Sequence, residues 1–300
     1  MLLGTAPVAW AQQPATAIAQ NAQTSVNLDP TATKRLTDVL KQLAGKQTIE
    51  FTSADTAFDS WTVNGTLSGT ANADLNKVMD NNLRSRVASF LKTFDSDGVF
   101  KTDAVWRSYS PNDEGELKNY WVLWGHDQSL YIDLDHGNKI TASIMYSLKD
   151  VKASLTNKAN RSLKTLGISS INPFEYVFRQ HEGNDTVWNF RDDNELNNVL
   201  IGVKTGKVWA VKNELGMDWT GEKDFVKAFA KPKLSQTQAL SAAKSKVQSL
   251  FGTNLKGYSV KIKDNEYTFS QKGAVTVVGK INKKGAFYSL EAMPANGVRN

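Results

Sequence analysis

From about residue 74 onward, one amphipathic helical segment followed by four short strand-like runs recurs three times. This rhythm constrains the fold more than any single motif. A helix with one apolar stripe and strands of alternating polarity can hide both apolar surfaces by packing on each other. The first helical segment, 74–94, places Leu75, Val78, Met79, Leu83, Val87, Phe90, Leu91 and Phe94 on one stripe, and strand-like runs follow at 105–109, 119–124, 130–134 and 140–146. The second, 151–166, carries Leu155, Ala159, Leu163 and Leu166, stops at Gly167, and precedes runs at 175–179, 186–191, 199–203 and 207–212. The third opens with Ser235 and Gln238 in capping-box spacing, carries Leu240, Ala243, Val247, Leu250 and Phe251, and ends at Gly252. Its runs are 258–262, 267–270, 274–281 and 286–292.

The last hairpin of each set is the closest internal match. Each has alternating apolar residues, a tight polar turn with one glycine (Gly137, Gly206, Gly285) and an apolar return strand. Glycine suits such turns because they demand positive φ. The period of roughly 70 to 85 residues predicts an α+β fold of tandem repeated units, each a helix packed on a four-stranded antiparallel sheet. The expected domains are a leader and disordered spacer at 1–28, a helix and hairpin plus the first unit at 29–149, a second unit and linker at 150–232, and a third, basic unit at 233–300. Asp29 and Pro30 are expected to start a short helix that runs to Gly45. Residues 46–72 read as an irregular hairpin whose Phe58 and Trp61 are expected to cover one face of the first sheet, and 216–232 read as a short docking helix ended by Pro232.

The first residues form an apolar run ending in Ala9-Trp10-Ala11, the A-x-A form accepted by signal peptidase, although no Lys or Arg precedes it. Cleavage after Ala11 would leave an uncharged Ala-, Gln-, Asn- and Thr-rich spacer up to Asp29. No later run reaches the roughly 18 apolar residues of a membrane span. The expected location is extracytoplasmic. The chain has no cysteine, which removes disulfides, thiolate nucleophiles and cysteine-based zinc sites together.

Charge is distributed unevenly. From residue 233 onward eleven Lys and Arg stand against three Asp and Glu, leaving 25 basic and 27 acidic residues before it. An anionic partner patch is therefore expected at Lys261, Lys263, Lys280, Lys283 and Lys284. Aromatics crowd the first sheet, and Trp106, Trp121 and Trp124 are a candidate binding face, although Trp121 and Trp124 differ in strand parity.

Catalytic and metal motifs are weak. Asp95-Ser96-Asp97-Gly98 opens like a calcium loop, but Val99 and Trp106 stand where further ligands belong, so a helix-ending turn is the better reading. His126, His136 and His181 lack zinc-protease spacing. The pairs Asp133/Asp135 and Asp192/Asp193 could supply acid and base, but read more simply as solvated hairpin charge. Nucleophile-elbow, P-loop and dinucleotide motifs are missing. The expectation is no catalytic residue, no cofactor and no metal.

The closing hairpin of the form apolar-x-apolar-D/K-x-x-G-K-apolar, seen at 200–208 and as a variant at 132–140, resembles PepSY and PepSY-like domains, including the YcdB-type repeats of secreted Gram-positive bacterial proteins. The resemblance covers about 74–292, with a shifted glycine in the third unit. It implies an extracytoplasmic, non-catalytic protein, with protease inhibition or regulation as its role. The resulting expectation is a secreted binding or regulatory protein of the cell envelope whose partner is a protease, another envelope protein or an anionic wall polymer, and not nucleic acid. The alternatives are a carboxylate-dependent hydrolase of wall polymer and a structural envelope spacer.

Overall fold

Six antiparallel strands and one helix are described in the first of two compact units, 1–144 and 145–300, into which the chain divides. The structure, a computed structural model, describes residues 58–63, 66–73, 81–95, 98–101, 104–111, 117–134, 136–169 and 171–300. The leader and spacer expected at 1–28 and the helix expected at 29–45 lie outside the described residues.

In the first unit, β1 (Phe58–Val63) and β2 (Thr66–Ala73) precede helix α1 (Asn81–Phe94), which buries Leu83, Val87 and Phe94. Strands β3 (Ala104–Pro111), β4 (Leu117–Gly125), β5 (Gln128–Asp133) and β6 (Lys139–Tyr146) follow, the last two residues of β6 falling in the second unit. Each strand pairs antiparallel with the next. Because β2 pairs with β3 in register from Gly69↔Tyr109 to Ala73↔Val105, the 58–73 hairpin extends the sheet edge to edge. The side chains of Phe58 and Trp61, from which cover of one face was expected, lie outside the described residues, as do residues 46–57.

The second unit contains α2 (Ala153–Leu166), β7 (Tyr176–Glu182), β8 (Asp185–Arg191), β9 (Asn197–Gly202) and β10 (Val208–Asn213). After these come α3 (Glu222–Phe229), α4 (Gln236–Phe251), β11 (Ser259–Lys263), β12 (Glu266–Ser270), β13 (Thr276–Ile281) and β14 (Phe287–Met293). Both α2 and α4 end on a left-handed glycine, Gly167 and Gly252.

The strand order β7-β8-β9-β10-β14-β13-β12-β11 overturns the expected architecture of tandem helix-on-four-strand units. The strands assigned to separate second and third units form one continuous antiparallel sheet, and the described fold is mostly sheet. The physical reason lies at the seam. A four-stranded meander leaves its last strand with an unpaired edge, a row of open N–H and C=O groups that needs a partner. Here β10 and β14 satisfy each other through Ala210↔Glu291, Val211↔Leu290 and Lys212↔Ser289. Helices α2 and α4 then pack side by side on the same sheet face, both against β10. Ala159, Leu163 and Leu166 of α2 and Ala239, Ala243 and Val247 of α4 belong to one core with Val177, Phe190, Val211, Phe269 and Leu290. The Lys246 ammonium of α4 donates to the carbonyls of Thr165 (2.9 Å) and Leu166 (2.7 Å), capping the C-terminus of α2. Burial there lowers the pKa of Lys246.

The 216–232 segment docks on the β13–β14 turn, as its composition suggests. Trp219 meets Phe225, Phe229 and Tyr288 with ring centroids 5.4, 5.6 and 5.7 Å apart. Asn282 donates to the Gly216 carbonyl, and the Lys283 N–H donates to Asp218.

Candidate functional surface

The lysines of the expected anionic patch divide into two groups. Lys261 and Lys263 on β11 and Lys280 on β13 alternate with buried Val260 and Ile281, so they stand on the face opposite the helices and are exposed. Lys284 is exposed in the β13–β14 turn. Lys283 is engaged internally: its ammonium lies 3.1 Å from Asp224 of α3. The Thr220 N–H and then Lys283 hold the Asp224 carboxyl below the usual carboxylate range.

Strand register extends this outer face beyond the sequence-predicted patch. Lys263, Glu266, Lys280, Ser289, Lys212, Asn198 and Arg191 are successive cross-strand partners in one row. Basic residues thus occupy alternate strands, β8, β10, β13 and β11, with Asn198, Ser289 and Glu266 between them. At about 4.8 Å per strand, neighbouring cations sit on backbones about 9.5 Å apart. Arg191 is held inward, 2.6 Å from Glu195 and 5.3 Å over the Phe178 ring. Lys212 meets Glu214 at 2.7 Å but keeps 38% of its side chain exposed. Sequence reading missed Arg191 and Lys212 because their place in the row depends on the β10–β14 seam.

A strap closes the other end of this face. Residues 294–300 fold back so that the Thr186 N–H donates to the Arg299 carbonyl (3.0 Å) and the Thr205 N–H to the Asn300 carbonyl (3.2 Å). The Arg299 guanidinium bridges Asp185 of β8 (2.7 Å) and Glu291 of β14 (2.5 Å). Gly202 permits the approach, since a Cβ there would stand 2.5 Å from the Asn300 oxygen.

The candidate aromatic face does not assemble as one surface. Trp121 is 1% exposed, and its neighbours Val122 and Leu123 are buried on alternating sides of β4. Trp124 is half-buried and of opposite parity to Trp121. Trp106 is the register partner of Val122, and its side chain lies outside the described residues. An exposed aromatic does occur on the outer face of the second unit: Tyr176, whose hydroxyl meets Asp193 (3.3 Å) and whose pKa is raised by that carboxylate.

The acidic and histidine candidates serve as turn chemistry. Buried Asp95 accepts the Val99 (3.1 Å) and Phe100 (2.6 Å) N–H groups, ending α1, while Ser96 and Asp97 lie outside the described residues. Asp133 takes the His136 N–H and ring nitrogen, and Asp135 is also outside the described residues. Asp192 is buried and receives Asn197 N–H and Asn172 Nδ2 (both 2.8 Å), whereas Asp193 is exposed. His126 pairs with Asp127 and His181 with Thr186, each in its own turn or strand. Among the described residues no three His, Cys, Asp or Glu side chains gather as a metal site, and no helix is long and apolar enough to cross a membrane.

No protein-family model, curated protein or solved structure matches the chain.

Proposed function

We propose that this is a secreted, non-catalytic binding protein of the bacterial cell envelope, and that it engages an anionic wall polymer through the outer face of its second unit. The observation that carries the reading is the exposed group Lys261, Lys263 and Lys280 on one sheet face, with Glu266 as the acid in register between Lys263 and Lys280. Lysine ammoniums on an open face attract polyanions through charge that salt screens. Basic side chains on β11 also discourage edge-to-edge pairing, but edge protection does not call for Lys280, which lies on β13, two strands in from edge strand β11. A role in protease regulation rests on the PepSY-like resemblance alone.

The test is retention of purified protein on washed Gram-positive cell walls. The reading expects retention at low salt and release at high salt. Absence of retention at low salt would sink it, and release of sugars from the walls would overturn the non-catalytic part.

A further inference from the structure

We infer that the ligand is an extended linear polyanion lying across the strands, along the row from Lys212 through Lys280 to Lys263, a conclusion that rests on the anion-binding reading above. The spacing of the cations selects such a ligand. These three lysines share one row on every second strand, Lys212 with the Glu214 carboxylate already 2.7 Å from its ammonium, so the row covers four interstrand steps, about 19 Å of backbone separation. A single compact anion meets one of these positions at a time. A chain running across the strands meets all of them, and its second and third contacts become intramolecular once the first is made.

Of the two residues between the cations, one fits the same ligand and one opposes it. Ser289 stands between Lys212 and Lys280 in register, offering a neutral hydroxyl to an anionic backbone. Glu266 stands between Lys280 and Lys263. It lowers the local attraction, and so provides a variant whose effect has a sign opposite to that of damage. The strap, through Arg299, occupies Glu291 one row away and leaves the lysine row outside its hydrogen bonds.

Oligo-L-glutamate peptides of two to twelve residues make a graded probe, because an extended chain covers about 3.3–3.6 Å per residue and about six residues match the row. Affinity measured by fluorescence polarisation is expected to climb steeply up to about six residues and only slowly beyond. Lys280→Gln should flatten that climb, the exposed-turn control Lys272→Gln should leave it intact, and Glu266→Gln should tighten binding of the longer peptides roughly two- to fivefold. Because destabilised protein does not bind more tightly, the gain from Glu266→Gln separates site electrostatics from misfolding. Affinity that is the same for two and twelve residues overturns the linear-ligand inference while leaving anion binding in place. Length-dependent affinity indifferent to Lys280→Gln and Glu266→Gln overturns the placement on this row. Absence of binding at every length overturns the inference and counts against the anion-binding reading as well.

Discussion

Replacing Arg299 by Ala removes the guanidinium that ties the strap to both halves of the second-unit sheet. Two charge-assisted contacts disappear, at 2.7 Å to Asp185 and 2.5 Å to Glu291. The Asp185 carboxylate is 16% exposed, so its bond counts as one to a largely desolvated charge, worth about 1.5–3 kcal/mol. Glu291 is 45% exposed, so its pair is discounted to about 0.2–1 kcal/mol. The backbone N–H of residue 299 still donates to Asp185 and retains part of the anchor. The expected loss is about 2–3 kcal/mol, a fall in Tm of about 4–12 °C for a unit of this size. Thermal melts by circular dichroism measure it, and a double-mutant cycle with Asp185→Ala isolates the pair. A Tm change under about 1 °C, or additivity of the two single variants within about 0.5 kcal/mol, would refute the view that the strap is fixed by this ion pair.

Leu163→Ala should cost about 2–5 kcal/mol and lower amide-exchange protection in β9 and β13 together, because one core joins the strands under α2 and α4; protection lost from β9 alone would mean two separable bodies. Asp224 has a folded-state pKa below its ordinary value, so it stabilises the docked 216–229 segment above the usual carboxylate range and that contribution is lost as pH falls through the folded value. Trp219 fluorescence should report an acid transition that Asp224→Asn removes, the variant being loosened already at neutral pH. Gln236→Ala frees the Val260 carbonyl that its side chain covers on edge strand β11, at 2.9 Å; light scattering during warm incubation should rise faster than in the parent, and an unchanged rate would contradict this protective role. Gly202→Ala should free the strap without touching a charge, seen as faster proteolysis after residue 293, since its new Cβ would meet the Asn300 oxygen and Thr205 Oγ1 at 2.5 and 2.6 Å.

Local elements were well marked in the sequence, and their assembly was not. The stripe of Ala243, Val247 and Leu250 with the Ser235 capping box located α4, and positive φ at Gly137, Gly206 and Gly285 matches the turn chemistry read from their hairpins. These signals are local, set by spacings of a few residues. The β10–β14 seam joins Val211 to Leu290, positions far apart in sequence whose alternation fits a central strand as well as an edge strand. Periodicity therefore suggested separate units where the open edges instead pair. The same seam hid the row that brings Lys212 into line with Lys280, whereas Lys261, Lys263 and Lys280 were visible from local charge. Trp121 misled in the opposite direction: residue type suggested a platform, but burial on both sides of β4 makes it core. Lys283 looked like surface charge, and is engaged because Asp224 arrives from the docked α3.

The most direct test of the central claim is the affinity of a purified anionic wall polymer for the parent protein and for a Lys263→Glu/Lys280→Glu variant, measured across ionic strength on samples with matched melting behaviour. Anion binding by the outer face predicts affinity that falls steadily with salt in the parent and is nearly abolished in the variant. Equal affinity in the two proteins, or affinity in the parent that does not respond to salt, would contradict it.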